Sequence, residues 1–206
     1  MSDAAPLPWP PRPVVLEGEH VRLEPLAPAH ADALADAVVD GGLDALWYTI
    51  VPAPRSVPGW IDAALALQAA GRALPFAVIR RRDGRVVGST RYMNVEETQR
   101  RLEIGTTFYS ASVQRSGLNT ECKRLLLRHA FEALACLAVE FRTHWFNQRS
   151  REAIAKLGAK QDGVLRNHQR LPDGSLRDTV VFSIIDSEWP AVKRHLGFRQ
   201  ARLPAP

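Results

Sequence analysis

Cysteine is scarce in this chain, which has only Cys122 and Cys136 in 206 residues. Two cysteines cannot form a disulfide framework, and this pair lacks the close spacing of metal ligands, so we predict no metal site. We expect two reduced thiols on one helix of a cytoplasmic protein. No apolar run approaches the about 20 residues that span a membrane, and the proline-rich N-terminus has no apolar signal core. These absences argue against a disulfide-stabilised secreted domain and an integral membrane protein.

Positive charge is only moderately in excess: the net charge is +5 and the isoelectric point is about 9.7. The arginines are scattered and no long basic run or basic–aromatic alternation is present, so a nucleic-acid partner is not expected. A small polyanionic ligand or an acidic partner surface fits this balance. With 46% hydrophobic and 24% charged residues, the chain can form one globular domain with a substantial core.

The sequence divides into three parts. Five prolines among the first thirteen residues prevent a helix or a central strand, so residues 1–13 are predicted to be an extended N-terminal extension, which Trp9 could attach to the domain. Residues 14–198 are predicted to form a single domain, followed by a C-terminal tail at residues 199–206. No internal repeat is visible.

The spacing of apolar residues predicts a mixed α/β or α+β fold. Seven strands are predicted, at residues 20–26, 74–80, 85–93, 102–109, 139–144, 164–169 and 178–185. Five helices are predicted, at residues 28–39, 60–70, 118–134, 148–157 and 188–195. The expected architecture is a mixed central sheet of about seven strands that is flanked by helices.

The most informative segment lies between the strand at 102–109 and the helix at 118–134. It consists of Gln114, Arg115, Ser116, Gly117, Leu118, Asn119 and Thr120. The first N–H groups of a helix have no internal partner, and the helix dipole favours negative charge there. Gly117 lets the backbone approach a bulky anion closely. The segment therefore predicts a phosphate or pyrophosphate site.

Further residues follow this loop in a defined order. They are Asn147 with Ser150, Leu157 with Gly158, Gly163 with Arg166, Asp173 with Gly174, Asp178, and Glu188 with Trp189. Together with Gln114, Gly117 and Asn119, this order resembles the GNAT N-acetyltransferases, and among them the branch that acetylates ribosomal-protein N-termini. The family's loop reads Gln/Arg-x-x-Gly-x-Gly/Ala. Asn119 departs from it by replacing a small residue, but asparagine tolerates unusual backbone angles and keeps its N–H.

The resemblance implies the GNAT fold, in which two parallel central strands separate and hold acetyl-CoA between them. Here these would be the strands at 102–109 and 139–144. It also implies direct transfer of the acetyl group to a primary amine, either a protein N-terminus, including that of a ribosomal protein, or a small-molecule amine. Phe108 is the candidate for a main-chain contact with the cofactor, and Asn147 is a further cofactor-binding candidate.

Glu103 is the first candidate for the general base, because it lies within an otherwise apolar strand that leads to the loop. A solvated or salt-bridged glutamate is the structural alternative. His144 closes its strand and is the second candidate base, since histidine titrates near neutrality. Many GNAT enzymes place a tyrosine acid seven residues after the helix-capping asparagine, but that position is Ile154 here.

Ser150 is the candidate hydrogen-bond donor to the departing thiolate. By spacing, it shares one helix face with Asn147 and Ile154 and lies one turn nearer the cofactor than the missing tyrosine would. Its structural alternative is a second residue of the helix cap. Trp47 and Tyr48 follow the first helix and either line the acceptor pocket or pack in the core.

Two other functions remain open at this stage. A GNAT-fold protein that binds CoA without catalysis would act as a sensor or scaffold. A ribosome- or RNA-binding module built on the basic surface would bind RNA in a salt-sensitive manner without CoA. The acceptor identity and the oligomeric state, monomer or homodimer, are also left open.

Overall fold

The computed structural model describes residues 8–204. The first half of the predicted N-terminal extension, residues 1–7, lies outside the described residues. The indole N–H of Trp9 donates to the carbonyl oxygen of Leu134 at 3.0 Å, and the Arg100 guanidinium lies over the Trp9 ring. Trp9 therefore attaches the described end of the extension to the domain.

One sheet organises the described part of the chain. Its strands are β1 (Leu16–Glu17), β2 (Val21–Pro25), β3 (Leu74–Arg80), β4 (Arg85–Glu96), β5 (Arg101–Tyr109), β6 (Ala138–His144), β7 (Lys160–Arg170) and β8 (Leu176–Ile185). The longer helices are α1 (Ala31–Val39), α2 (Val57–Ala69), α3 (Leu118–Arg128), α4 (Gln148–Ala155) and α5 (Trp189–Gln200). None of the described helices has the length and apolar character needed to cross a membrane.

The strands are ordered β1–β2–β3–β4–β5–β6–β8–β7, and only β5 and β6 are parallel neighbours within residues 8–204. The parallel ladder pairs Arg101 with Ala138, Leu102 with Val139, and Glu103 with Glu140, and it ends there. Beyond it, β5 stays paired with β4 as far as Tyr109, and β6 stays paired with β8 as far as His144. The GNAT fold with two separating parallel strands is confirmed. The strand beyond the seven predicted is β1, whose two residues are too few for a periodic signal.

We call the space between residues 104–109 of β5 and residues 141–144 of β6 the strand gap. A bulge bends β5 where the gap opens, because the β4–β5 register shifts between Ser89 and Arg91, and Thr106 has a positive φ of 46°. Bulges increase local twist and re-aim strands. The bulge therefore helps β5 to turn away from β6.

Helices bury a separate core on each face of the sheet. The first core lies under α3, α4 and α5 and includes Leu102 and Ile104. The second core lies under α1 and α2 and includes Phe108. Because successive side chains of a strand point to opposite faces, Glu103 is directed to the second face.

The third helix covers its predicted span to within one residue but changes type along it. After Arg128 it widens into a π-helical turn, His129–Ala133, and Ala135 ends the turn with a φ of +50°. Cys136 therefore lies in the loop before β6, so the expectation that both cysteines share one helix was wrong. Burial raises the pKa of both free thiols to about 12. Across residues 8–204, no group of three or more His, Cys, Asp or Glu residues is placed to hold a metal ion.

Candidate active site

The segment that leads from β5 into the first turn of α3, which we call the α3 loop (residues 114–120), is held by its own side chains. The Gln114 amide nitrogen donates to the carbonyl oxygen of Tyr109 at 2.9 Å. The Ser116 hydroxyl donates to the carbonyl oxygen of Val113 at 2.7 Å and accepts the N–H of Leu118 at 3.3 Å. These bonds fix the direction in which α3 leaves the end of β5.

The N-terminus of α3 presents backbone donors. Asn119 and Thr120 lie in its first turn, where the helix itself offers no carbonyl partner for their N–H groups. Gly117 occupies the cap position, and its N–H donates to the carbonyl oxygen of Pro204 in the C-terminal tail at 2.9 Å. The tail thus contacts one of the groups that the sequence assigned to an anion.

Two charged side chains flank this helix end. Glu121 is buried, and its carboxylate accepts the backbone N–H groups of Glu19 and His20, so it is directed toward the β1–β2 turn. Arg115 is exposed and has a left-handed backbone with a φ of 61°. The α3 loop therefore combines N–H donors with an exposed cation, a combination that suits an anionic ligand.

Backbone groups of β5 alternate in direction beside the strand gap. The Ser110 N–H donates to β4 at 2.8 Å, and the Phe108 carbonyl also faces β4, since a Cβ on Gly88 would lie 2.1 Å from its oxygen. Because hydrogen-bonded and non-bonded residues alternate along an antiparallel ladder, Tyr109 directs its backbone groups away from β4, and its carbonyl oxygen accepts the Gln114 amide. The Phe108 carbonyl, which the sequence analysis assigned to a main-chain contact with the cofactor, therefore faces β4 and not the gap.

Glu103 lies at the last residue pair before the gap and is 5% exposed. Its Oε2 accepts a hydrogen bond from the Asn94 amide at 2.8 Å, and the Arg142 Nε lies 3.6 Å from the same oxygen. Its Oε1 accepts no hydrogen bond from the described residues and lies over Gly105, where a Cβ would be 2.9 Å away. The Met93 Sδ lies 2.7 Å from the same Cβ position, so Met93 and Glu103 together fill the place that a side chain at Gly105 would take.

The environment of Glu103 changes its acidity. Burial raises the pKa of this carboxyl above its usual value, and the negative charge of Glu140 adds to the rise. The charge of Arg142 and the hydrogen bond from Asn94 oppose it. Glu103 is thus buried and paired, not solvated, and a raised pKa makes it a stronger proton acceptor when ionised.

His144 has a free hydrogen-bond donor, whereas Glu103 has a free acceptor. It is buried, and its Nδ1 accepts the Phe146 backbone N–H at 3.1 Å, so the neutral ring carries its proton on Nε2. Nε2 has no hydrogen-bond partner among the described residues. Burial, followed by the charge of Arg177, lowers the pKa of His144, while Asp178 opposes the change. The imidazole is neutral near pH 7 and offers a donor, whereas a general base needs a free acceptor.

Aromatic side chains cover His144. The Trp47 ring lies 5.1 Å from the imidazole and 5.7 Å from the Phe146 ring, and Tyr48 meets Trp47 edge-on at 5.6 Å. Trp47 is 55% exposed and Phe146 is 61% exposed. These residues therefore form an exposed aromatic rim (Trp47, Tyr48 and Phe146) at the end of β6, not a part of either core.

The start of α4 separates the two roles considered for Ser150. The side-chain oxygen of Asn147 caps the helix by accepting the Ser150 backbone N–H at 3.0 Å. The Ser150 hydroxyl itself caps nothing and is partly exposed. Ile154 is buried in the first core. The cap is therefore provided by Asn147, and the Ser150 hydroxyl is available to a ligand.

Three polar residues of the second face were missed by the sequence analysis. They lie on the two strands beside β5: Asn94 and Arg142 contact Glu103, and Arg91 opposes Gly105, two residues further along β5. The sequence shows each of them only as a polar residue within a predicted strand. The face of the sheet to which a β4 side chain points cannot be predicted from alternation alone, because the β4–β5 register shifts twice over this stretch.

Comparisons with known proteins agree with this geometry. A family model described as an acetyltransferase (GNAT) domain matches residues 20–160. A Bacillus subtilis (strain 168) protein that bears the provisional name ribosomal N-acetyltransferase YdaF is 24% identical over 184 residues, which is 85% of this chain and 96% of that protein.

Solved structures share the fold over nearly the whole chain. A GCN5-related N-acetyltransferase from Brucella melitensis is 30% identical with a TM-score of 0.83, and the match covers 96% of this chain and 90% of that one. Mycobacterium smegmatis RimJ, in complex with CoA-disulfide, is 23% identical with a TM-score of 0.76 over 96% of this chain and 98% of its own. At that identity the second likeness shows the fold alone.

Proposed function

The chain belongs to the GNAT acetyltransferase family, and we therefore propose that it transfers the acetyl group of acetyl-CoA directly to a primary amine, with a ribosomal-protein N-terminus as the acceptor. A small-molecule amine is the alternative acceptor. The observation that carries the proposal is the strand gap, which begins at the buried Glu103 carboxylate and opens toward the donors of the α3 loop. The name of the Bacillus subtilis relative supports the ribosomal acceptor.

The residues around the gap fit acetyl-CoA, which when bound supplies the activated acetyl group as a thioester. The backbone N–H of Tyr109, which faces away from β4, would hold the pantetheine arm. The N–H groups of the α3 loop would bind the pyrophosphate, because helix N-termini favour anions. Arg115 would add charge at the exposed side of the loop.

Glu103 is proposed to take the proton of the acceptor. Its Oε1 accepts no hydrogen bond from the described residues, whereas Oε2 is occupied by Asn94 and faces Arg142. An ammonium group of the acceptor would donate to Oε1 and lose a proton directly or through water. His144, whose ring offers only a donor, is not suited to this role in the described conformation.

Ser150 is proposed to donate a hydrogen bond to the thiolate as it leaves. This bond strengthens only when charge develops on sulfur, so its loss affects turnover more than binding. We expect Ser150→Ala to lower kcat about tenfold or more. The dissociation constant for acetyl-CoA should change little. Steady-state kinetics together with calorimetry measure both quantities.

Asn147→Ala is the comparison that separates catalysis from helix capping. It removes the acceptor for the Ser150 N–H and should lower the free energy of unfolding by about 1 kcal/mol. Ser150→Ala should leave stability nearly unchanged, because the hydroxyl does not cap the helix. Equal kcat in Ser150→Ala and wild type at saturating substrates would remove Ser150 from the mechanism.

The C-terminal tail competes with the cofactor in this proposal, because the Pro204 carbonyl occupies the Gly117 N–H. A chain that ends at Gln200 is expected to bind CoA about two- to tenfold more tightly, the value of one hydrogen bond. Pantetheine lacks the pyrophosphate, so its affinity should not change. Calorimetry with both ligands measures the difference. An identical CoA affinity in the two chains would show that the tail does not compete.

A screen for CoA release tests the proposed function as a whole. Acetyl-CoA is supplied with ribosomal-protein N-terminal peptides, polyamines and amino acids, and free thiol is measured. Release with the peptides supports the proposal, and release only with small amines moves the acceptor to the alternative. A protein that binds CoA but releases none would instead be a sensor or scaffold. Salt-sensitive RNA binding without CoA would favour the RNA-binding module.

A further inference from the structure

Arg91 is a buried cation on the second face of the sheet. It lies on β4 opposite Gly105 of β5, and the residue is 6% exposed. Its guanidinium carbon is 4.6 Å from the centroid of the Trp60 ring on α2. Trp60 in turn lies edge-on to Phe108 at 5.8 Å. The guanidinium is thus enclosed between α2 and the part of β5 that leaves β6.

The guanidinium has no anionic partner in the described chain. Its Nε and Nη2 are buried and make no hydrogen bond within residues 8–204, and Arg91 forms no ion pair there. Burial lowers the pKa of Arg91 to about 10, so the group is still charged near neutrality. The neighbouring Arg142, by contrast, pairs with Glu140 at 2.8 Å.

Lys123 is a buried cation whose hydrogen bonds are supplied by the protein itself. Its Nζ donates to the hydroxyl of Thr107 at 2.8 Å and to that of Thr90 at 3.3 Å. Among the described residues, Arg91 has only the Trp60 ring, which attracts a cation but accepts no conventional hydrogen bond from Nε or Nη2. A buried charge without a partner destabilises the fold, so its presence beside the site indicates a ligand that completes it.

We propose that Arg91 binds a carboxylate carried by the acceptor, next to the amine that is acetylated. This inference rests on the proposed function and adds the chemical class of the acceptor. Met93 opposes Glu103 in the ladder and Arg91 opposes Gly105, so the two charged residues are two positions apart along the strands. Two strand residues span about 7 Å. The acceptor therefore carries its carboxylate several bonds from the amine.

Two sources supply such a group: an acidic side chain near a peptide N-terminus, or a free amino acid. Planar guanidinium binds carboxylate through two parallel hydrogen bonds, and a site built for this bond discriminates against a neutral isostere. The bound carboxylate also provides the counter-charge that no residue from 8 to 204 supplies to Arg91.

The test uses matched acceptors that differ only in charge. One pair is an N-terminal peptide with Asp at its second position and the same peptide with Asn. The other pair is free glutamate and glutamine. Wild-type kcat/KM is expected to be at least about tenfold higher for the charged member of one pair, and the pair that responds identifies the source.

Arg91→Met should lower kcat/KM for the charged acceptor about 10²-fold through KM and remove the preference, while the neutral acceptor changes by less than about threefold. Arg100→Met is the matched control, because Arg100 also lies over a tryptophan but contacts Leu134, after the π-helical turn that follows α3. It should keep the preference. Thermal unfolding checks the fold of both variants, and Arg91→Met should not lower Tm, since it removes an unpaired buried charge.

A binding measurement keeps this inference distinct from the proposed function. The same acceptors are titrated by calorimetry into the protein saturated with CoA, where no transfer occurs. Tighter binding of a charged member that is lost in Arg91→Met supports the inference, even if no acceptor releases CoA and the proposed function fails. Equal binding and equal turnover of both members of each pair by wild type overturn it. A preference that persists in Arg91→Met overturns it as well.

Discussion

Glu103→Gln is expected to lower the acetyl-transfer rate near neutral pH by about 10²-fold or more, the usual contribution of one general base. Glutamine keeps the size of the side chain and can still accept a hydrogen bond from Asn94, but it cannot take a proton. CoA affinity should stay at the wild-type value, because Glu103 lies at the other end of the strand gap from the α3 loop. Rates at several pH values and CoA calorimetry provide the two measurements.

The pH profile follows from the raised pKa of Glu103. The carboxylate must be ionised to act as base, so the wild-type rate rises with pH through this pKa and then levels off. In Glu103→Gln that limb disappears, and the rate rises only as free amine forms at higher pH. A variant with the wild-type rate and profile would place the base elsewhere, for example at a water chain.

Glu140→Gln is the matched control for this prediction. Glu140 lies beside Glu103 in the parallel ladder, raises the pKa of Glu103 and shares Arg142 with it. Removing its charge should lower the pKa of Glu103, so the acidic limb of the profile moves to lower pH while the plateau rate is maintained. A Glu140→Gln variant as slow as Glu103→Gln would show that both effects come from disturbing the charge cluster.

Gly117→Val is expected to abolish measurable CoA binding, a loss of about 10²-fold or more, because a branched side chain would stand where the pyrophosphate meets the first turn of α3. The domain should remain folded. A Cβ at Gly117 would meet only the tail residues Leu203 and Pro204 within 4 Å, and the residue has an ordinary helical backbone. Calorimetry measures the affinity, and thermal unfolding checks the fold.

Two controls isolate the effect of Gly117→Val. Gly59→Val makes the same change at an exposed glycine of α2 with no neighbour within 4 Å, and it should bind CoA normally. The second control places Gly117→Val in the chain that ends at Gln200, which has no tail to displace. If CoA binds this shortened variant as tightly as the shortened wild type, the α3 loop is not the pyrophosphate site.

Local patterns located most of the elements of the fold. The strand predicted at 74–80 coincides with β3, because a short run of buried apolar residues is a strand signal in itself. Asn147 was located as the cap of α4 from the sequence alone, since capping joins residues only three positions apart. The α3 loop was located for the same reason: strand end, turn and helix start follow one another along the chain.

Local patterns did not predict the surroundings of the active-site candidates. Alternation suggested that Glu103 departs from its apolar strand, but its burial and its contact with Arg142 depend on β6, nearly forty residues later. Phe108 was chosen for a main-chain contact, yet the bulge at Thr106 and the pairing with β4 turn its backbone away from the gap. A bulge adds one residue to one strand, so it changes direction without changing composition.

The sequence by itself determined the element order, the loop that opens α3 and the family, because each of these is encoded by residues that are close together in the chain. Only the tertiary structure decided that His144 offers a donor, that Pro204 contacts Gly117, and that Arg91 is buried without a hydrogen-bond partner among residues 8–204. These features arise between segments brought together by strand register and helix packing. The partners of a side chain are set by that three-dimensional arrangement, and periodicity carries no information about them.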